Sequence, residues 1–200
     1  MKVERRKTPR SDLTDGVPDD LPDDLPALMS RYLAGDEPAF NELYGRMARS
    51  VRGYLRALVP PGADVEDSVQ NTFLQLHRSR QSYLPGEPVR PWLFAIARHV
   101  GLMAQRSHHR LSSHEIHPTE ELLDDPALAR LAGTLDRIAL ARALCEISAK
   151  GREILWLRHA EGLSLREASI VLGISETAAK VRVHRAITAL RERLAEGGNR

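Results

Sequence analysis

Apolar positions recur at intervals of three and four along most of this chain, the spacing that gathers them on one face of an α-helix. Asp36 can cap a helix whose dry face is Phe40, Leu43, Met47, Val51, Tyr54, Leu55 and Leu58, with Pro60-Pro61-Gly62 as its stop. Asp64 can cap the next, with Val65, Val69, Phe73 and Leu76 directed inward. A loop, "QSYLPGEPVRP", leads to a third helix with Pro91 in its first turn, where a missing N–H is tolerated. Trp92, Leu93, Ile96, Ala97, Val100 and Met103 are its candidate core positions. Residues 111–135 are interrupted by Pro118, Pro126 and Gly133, although Leu122, Leu123, Leu128 and Leu131 allow a short docking helix. Residues 136–196 are helical again, and no stretch alternates well enough to predict a strand. The pattern predicts an all-α protein of two small helical domains joined by a flexible linker. Its parts are an extension at 1–27, a first domain at 28–110, an acidic linker at 111–135, a second domain at 136–196 and a tail at 197–200.

The end of the second domain carries the strongest local signal. Ser164 can cap a short helix and Glu167, three residues on, can complete a capping box. Leu165, Ala168, Val171 and Leu172 give that helix a dry face, and Ser169 is small where two helices would cross closely. Gly173 stands where a tight turn needs left-handed angles, Ile174 plugs the core after it, and Ser175 caps the helix that follows. This succession predicts a helix-turn-helix. On the second helix Ala179, Val183, Ala186, Ile187, Leu190 and Leu194 share one face. The opposite face shows Thr177, Ala178, Val181, Arg182, His184, Arg185 and Thr188, with Lys180 at its margin and no acid. Short residues between long basic ones let a helix approach base edges while the cations reach phosphates. Leu144, Ile147, Ile154, Leu155, Leu157 and Leu163 supply the core beneath. Ser148 can cap a helix whose Arg152 and Arg158 either meet phosphates or are solvated.

Charge sharpens this picture only locally. Lys and Arg total 29 against 27 Asp and Glu, for a net charge of +2. From residue 90 to 110, however, Arg90, Arg98, Arg106 and Arg110 stand with three histidines and no acid, whereas 112–125 holds five acids and no Lys or Arg. A nucleic-acid binder needs such a local basic surface. The extension opens with Lys2, Arg5, Arg6, Lys7 and Arg10, which either touch nucleic acid or are solvated. Cys145 is the only cysteine, so no intrachain disulfide can form, and a reducing cytoplasm is expected. No apolar run reaches the length of a membrane span or of a signal-peptide core.

The stretch that discriminates among DNA-binding proteins is "DVEDSVQNTFLQLHR" at 64–78. On a helix, Asp67, Gln70, Asn71 and Leu74 fall along one exposed side. Such a strip repels phosphate and suits a basic or polar protein surface, or is simply solvated. Together with "RPWLFAIARHV" and the helix-turn-helix, in that order, it resembles the extracytoplasmic-function (ECF) sigma factors of the sigma-70 family, two-domain bacterial transcription initiation factors. The similarity covers about residues 28–110 (region 2) and 136–196 (region 4). It implies a protein that binds core RNA polymerase, at its clamp and flap, and directs initiation at particular promoters in response to stress or another signal. An anti-sigma factor, in some subgroups membrane-bound, would hold it inactive in the cytoplasm or at the inner membrane.

By the resemblance, Glu66, Asp67, Gln70, Asn71 and Leu74 would dock on the polymerase clamp. Arg90, Trp92, Arg98, His99, Arg106 and Arg110, with the 82–91 loop, would open the minus-ten element and hold a flipped base. Trp92 has a second reading as core. Arg152, Ser175, Thr177, Ala178, Lys180, Val181, Arg182, His184 and Arg185 would serve the minus-thirty-five element. Asn71 stands where the family usually has an acid and His99 where it often has Asn, while Ser169 and Ala179 replace the usual Ala and Val.

Two other classes compete. A conventional helix-turn-helix repressor or activator would bind duplex DNA without polymerase and would need a ligand-binding or phosphoacceptor domain at the front, for which no pattern exists. An enzyme would need a catalytic motif, and neither a phosphate-binding Gly-rich loop nor a nucleophile motif occurs. His108, His109, His114 and His117 cluster, but without ligand spacing on a helix face. Neither a metal, a cofactor nor a small-molecule substrate is expected.

Overall fold

The computed structural model describes residues 24–59, 63–109, 126–133 and 136–197. Among them every regular element is helical. Four helices form the N-terminal half: α1 (Leu25–Leu33), α2 (Glu37–Leu58), α3 (Val65–Ser79) and α4 (Val89–His109). Helix α1 begins three residues ahead of the expected domain start, because Pro26 suits a first turn and Leu25, Leu28, Met29 and Tyr32 are buried. The expected dry face of α2 is buried from Leu43 to Leu58, with Phe40 half-buried, and α2 packs against α1, α3 and α4. Asp64 caps α3 by accepting the Asp67 N–H at 2.8 Å. Asp36 makes no such bond at the start of α2 and instead pairs with Arg31 at 2.6 Å.

Helix α4 departs from the expected register. Leu93, Phe94 and Ala97 are fully buried, and Gly101 follows on the same stripe. A Cβ at Gly101 would lie 2.7 Å from Cδ2 of Leu58 and 3.1 Å from Cδ2 of Leu55, so glycine sets how closely α4 crosses α2. Met103, expected inside, is 54% exposed, and Trp92, Ile96 and Val100 are half-buried. The apolar surface of this helix is wider than one stripe, and the stripe containing Gly101 faces the core because it permits the closer approach.

The C-terminal half holds α5 (Pro126–Ala132), α6 (Arg137–Glu146), α7 (Ala149–Leu155), α8 (Leu165–Leu172) and α9 (Glu176–Gly197). Part of the stretch read as linker is therefore helix. Leu128 is buried and Leu131 half-buried where α5 meets the end of α7, while Leu122 and Leu123 lie outside the described residues. Asp136 caps α6 and Ser148 caps α7, accepting the N–H of Ile138 at 2.8 Å and of Gly151 at 3.2 Å. Helix α7 widens into a π-helical turn, Trp156–Ala160, which buries Trp156, Leu157 and Ala160. Gly151 lets α9 lie close, since a Cβ there would stand 3.3 Å from that of Ala186.

The two halves share one continuous hydrophobic core. Helix α4 packs on α8, and α2 packs on α7. The expected tether thus joins bodies that are in contact here.

Candidate nucleic-acid and protein interfaces

The helix-turn-helix is built as its residues dictate. Ser164 Oγ accepts the Glu167 N–H at 3.1 Å and the Glu167 carboxylate accepts the Ser164 N–H at 2.7 Å, which satisfies two orphan donors of α8. Gly173 closes α8 in the left-handed region at φ 63°, conformational space that a side chain would strain. Ser175 caps α9 by accepting the Ala178 N–H at 3.2 Å. Ala168, Ser169, Val171, Leu172 and Ala179 are buried, so small residues hold the two helices together. The opposite side of α9 is open: Ser175, Thr177, Ala178, Lys180, Val181, His184 and Arg185 are exposed and Arg182 is half-buried. Val181 is the exposed large apolar residue of this face, at 45%. The acid-free basic face is one contiguous surface, and its short residues leave room for a groove edge.

Helix α3 presents the acid-and-amide strip. Asp67, Gln70 and Leu74 are exposed, and Asn71 donates to the Asp67 carboxylate at 2.9 Å, one turn apart. Glu66 is also exposed but engaged, taking Nε and Nη2 of Arg52 at 2.5 and 2.8 Å. That guanidinium holds the Glu66 carboxyl below its ordinary pKa, against the weaker opposite effect of burial. The acid that the strip offers outward is therefore Asp67, with Glu66 tied to α2.

The loop before α4 and the outer stripe of α4 form a shallow groove of about 370 Å³, lined by Gln75, Trp92, Ala95, Ile96, His99, Val100 and Met103. Tyr83 is buried and stacks at a tilt on Trp92, ring centroids 5.3 Å apart, and its hydroxyl donates to the Glu87 carbonyl. Leu84 stands out of the loop at 69% exposure, beside Gly86 at φ 90°. Trp92 thus satisfies neither expectation alone, being anchored on Tyr83 and open to the groove on another side. His99 and Arg106 are exposed; Arg110 lies outside the described residues.

Three expected DNA cations sit elsewhere in this arrangement. Arg152, expected on the DNA face, is buried at 6% exposure, its Nε donating to the Ala57 carbonyl at 2.9 Å and Nη1 to the Leu144 carbonyl at 3.1 Å. Burial lowers its pKa, with Cys145 acting in the opposite sense. The cause of the difference is docking: α7 meets α2 along the side that carries Arg152. Arg98 Nε donates to Glu153 at 2.8 Å, and the same carboxylate oxygen accepts the Tyr54 hydroxyl at 2.9 Å. Burial first, and then the Glu153 charge, push the Tyr54 pKa well up, so its hydroxyl keeps the proton it donates. Arg90 Nη2 reaches the Glu161 carbonyl at 2.5 Å and its carboxylate at 3.3 Å. Glu153 and Glu161 carry no motif that sequence reading could use, since "GREILWLRHAEGL" mixes its two acids with Arg152, Arg158 and His159.

Among the described residues no group of three or more His, Cys, Asp or Glu could hold a metal ion. The side chains of His108 and His109, and all of His114 and His117, are outside that description. None of the helices is long and apolar enough to cross a membrane, among the same residues.

Comparison with known proteins matches both halves. Residues 43–111 fit the family described as sigma-70 region 2, and residues 137–190 that described as sigma-70, region 4. The chain is 35% identical to RNA polymerase sigma factor CarQ of Myxococcus xanthus, over 84% of its own length and 96% of that protein's. It is 34% identical to the ECF RNA polymerase sigma factor SigF of Caulobacter vibrioides, over 84% of this chain and 92% of the relative. Among solved structures it is similar to the sigma factor RpoE of Bartonella quintana, crystallised with the anti-sigma factor NepR. There the TM-score is 0.62 at 27% identity, covering 78% of this chain and 96% of that one. With an exposed basic helix behind a capped turn, and relatives matched over nearly their whole length, the chain belongs to the ECF sigma factors of the sigma-70 family.

Proposed function

We propose that this sigma factor docks on core RNA polymerase through Asp67, Gln70, Asn71 and Leu74 of α3, with Glu66 beside them, and carries it to its promoters through two DNA grips. Helix α9 reads the minus-thirty-five element in the major groove, Thr177, Ala178 and Val181 approaching base edges while Lys180, Arg182, His184 and Arg185 reach bases and phosphates. The groove at Trp92 and His99, the loop before it and the cations of α4 hold the opened minus-ten strand, where an aromatic platform beside positive charge suits unpaired bases. Arg152 joins the DNA-facing cations only once the halves separate.

The observation that carries this reading is the pairing, on one chain, of an acid-free basic helix face with an exposed acid-and-amide strip. The first attracts nucleic acid and the second repels it, so they serve different partners. An anti-sigma factor restrains the protein in the cytoplasm, a reading supported by the solved relative bound to one. The chain performs no catalysis itself. Transcription in vitro, with core polymerase on a library of genomic fragments, tests the proposal. Initiation from a set sharing two spaced elements is expected, and tight duplex binding with no effect of core polymerase would instead favour a conventional regulator.

A further inference from the structure

Most of the open face of α9 is polar or basic, and Val181 is its large apolar exception, 45% exposed. It stands nine positions before Leu190 of the dry face, two and a half turns at 100° per residue, and so on the opposite side of the helix. Its neighbours one turn away on that side, Thr177, Ala178, His184 and Arg185, are exposed as well, which puts Val181 at the centre of the open face. Nothing inside the chain calls for valine there. A β-branched residue is a poorer helix former than alanine. Core packing does not offset this, because Ala179, Val183, Ala186, Ile187 and Leu190 meet the core from the other side.

With α9 in a major groove, the centre of its open face meets base edges, and the flanking cations meet phosphates. The apolar group that distinguishes base pairs in that groove is the C5 methyl of thymine. Valine bonds to none of the polar groups on the base edges, and pressed against one it would strip off water without replacing it. Against a methyl group the same contact removes apolar surface from water on both partners. The short side chains of Thr177 and Ala178 let the helix come close, and Lys180 and Arg185 beside them favour DNA over an apolar protein surface. We propose that Val181 is a specificity-determining residue that selects a thymine in the minus-thirty-five element by packing on its methyl group. This role rests on the assignment of α9 to that element made above.

The test uses holoenzyme and a promoter recovered by the transcription experiment described above. Each thymine of its upstream element, on both strands, is replaced singly by deoxyuridine, which removes only the methyl group. Fluorescence anisotropy of the labelled duplex reports binding by the parent and by Val181→Ala, a change at an exposed position that alanine suits. At one thymine, deoxyuridine should weaken binding by the parent about fourfold, the affinity carried by burial of one methyl-sized group. Val181→Ala should weaken binding to the thymine promoter at least as much and should no longer distinguish thymine from deoxyuridine there. The two changes are then non-additive, as direct contact requires. An upstream element without thymine, no response to deoxyuridine at any thymine, or a response that Val181→Ala leaves intact would overturn the proposal. Replacing the whole upstream element with unrelated sequence separates this role from the assignment beneath it. Binding lost on that replacement, with no deoxyuridine response, overturns the role of Val181 alone; binding unchanged overturns the assignment of α9 as well.

Discussion

His159 shows how a single side chain acquires a property from its surroundings. It lies half-buried in the π-helical turn with Nε2 buried and, among the described residues, without a hydrogen-bond partner. Burial first, and the neighbouring Arg158 second, hold its imidazole below the ordinary 6.5. The unfolded chain therefore binds a proton that the folded chain refuses. This contribution to stability is complete above 6.5 and is lost as pH falls towards the folded-state pKa. Melting temperature should decline as pH falls from neutrality through 6.5, and His159→Phe should flatten that decline in the same scans. Ser164 gives a second test at this scale. With both bonds of the capping box formed, Ser164→Ala should destabilise the protein by about 1 kcal/mol, read from urea unfolding, because two N–H groups of α8 lose order together.

Between elements, the crossing of α4 on α2 depends on the missing side chain at Gly101. The neighbouring atoms are terminal methyls of Leu58 and Leu55, which can yield to one extra carbon but not to a branched side chain. Gly101→Val is expected to cost about 1–3 kcal/mol by overpacking, checked by chemical denaturation, with the helix content of the folded state unchanged by circular dichroism. The same crossing explains why the register of α4 was only partly legible. Helical periodicity marked Leu93 and Ala97 as inward and also marked Met103, because Trp92, Ile96, Val100 and Met103 make an equally regular stripe one residue round the helix. Nothing in a single helix chooses between two adjacent apolar stripes; the partner's shape does. For α8 and α9 no such ambiguity arose, since caps, Gly173 and small residues determine both the turn and the crossing locally.

For the molecule as a whole, the two outward surfaces should separate experimentally. Arg182→Ala with Arg185→Ala should weaken promoter binding by the holoenzyme while leaving core polymerase binding intact. Its salt dependence should also become shallower, by about one unit of slope for each phosphate that a removed arginine had neutralised. Asp67→Ala with Gln70→Ala should do the reverse, read by competition for core polymerase. Both substitutions failing in the same assay would contradict a division of labour between α3 and α9.

Features written within about one helical turn or along one helix face follow from the order of residues alone. These are the helices, the capping box, the left-handed turn at Gly173, the basic face of α9 and the acid-and-amide strip of α3. Their causes are local, residing in backbone angles, caps and the 100° spacing of side chains. How helices and halves meet is a property of the folded chain. Folding took Arg152 from an expected DNA contact into the junction, gave Arg90 and Arg98 to Glu161 and Glu153, and turned Met103 outward. The placements of the three arginines depend on partners 55 to 95 positions away in the chain, and spacing along one helix carries no information about what docks on it.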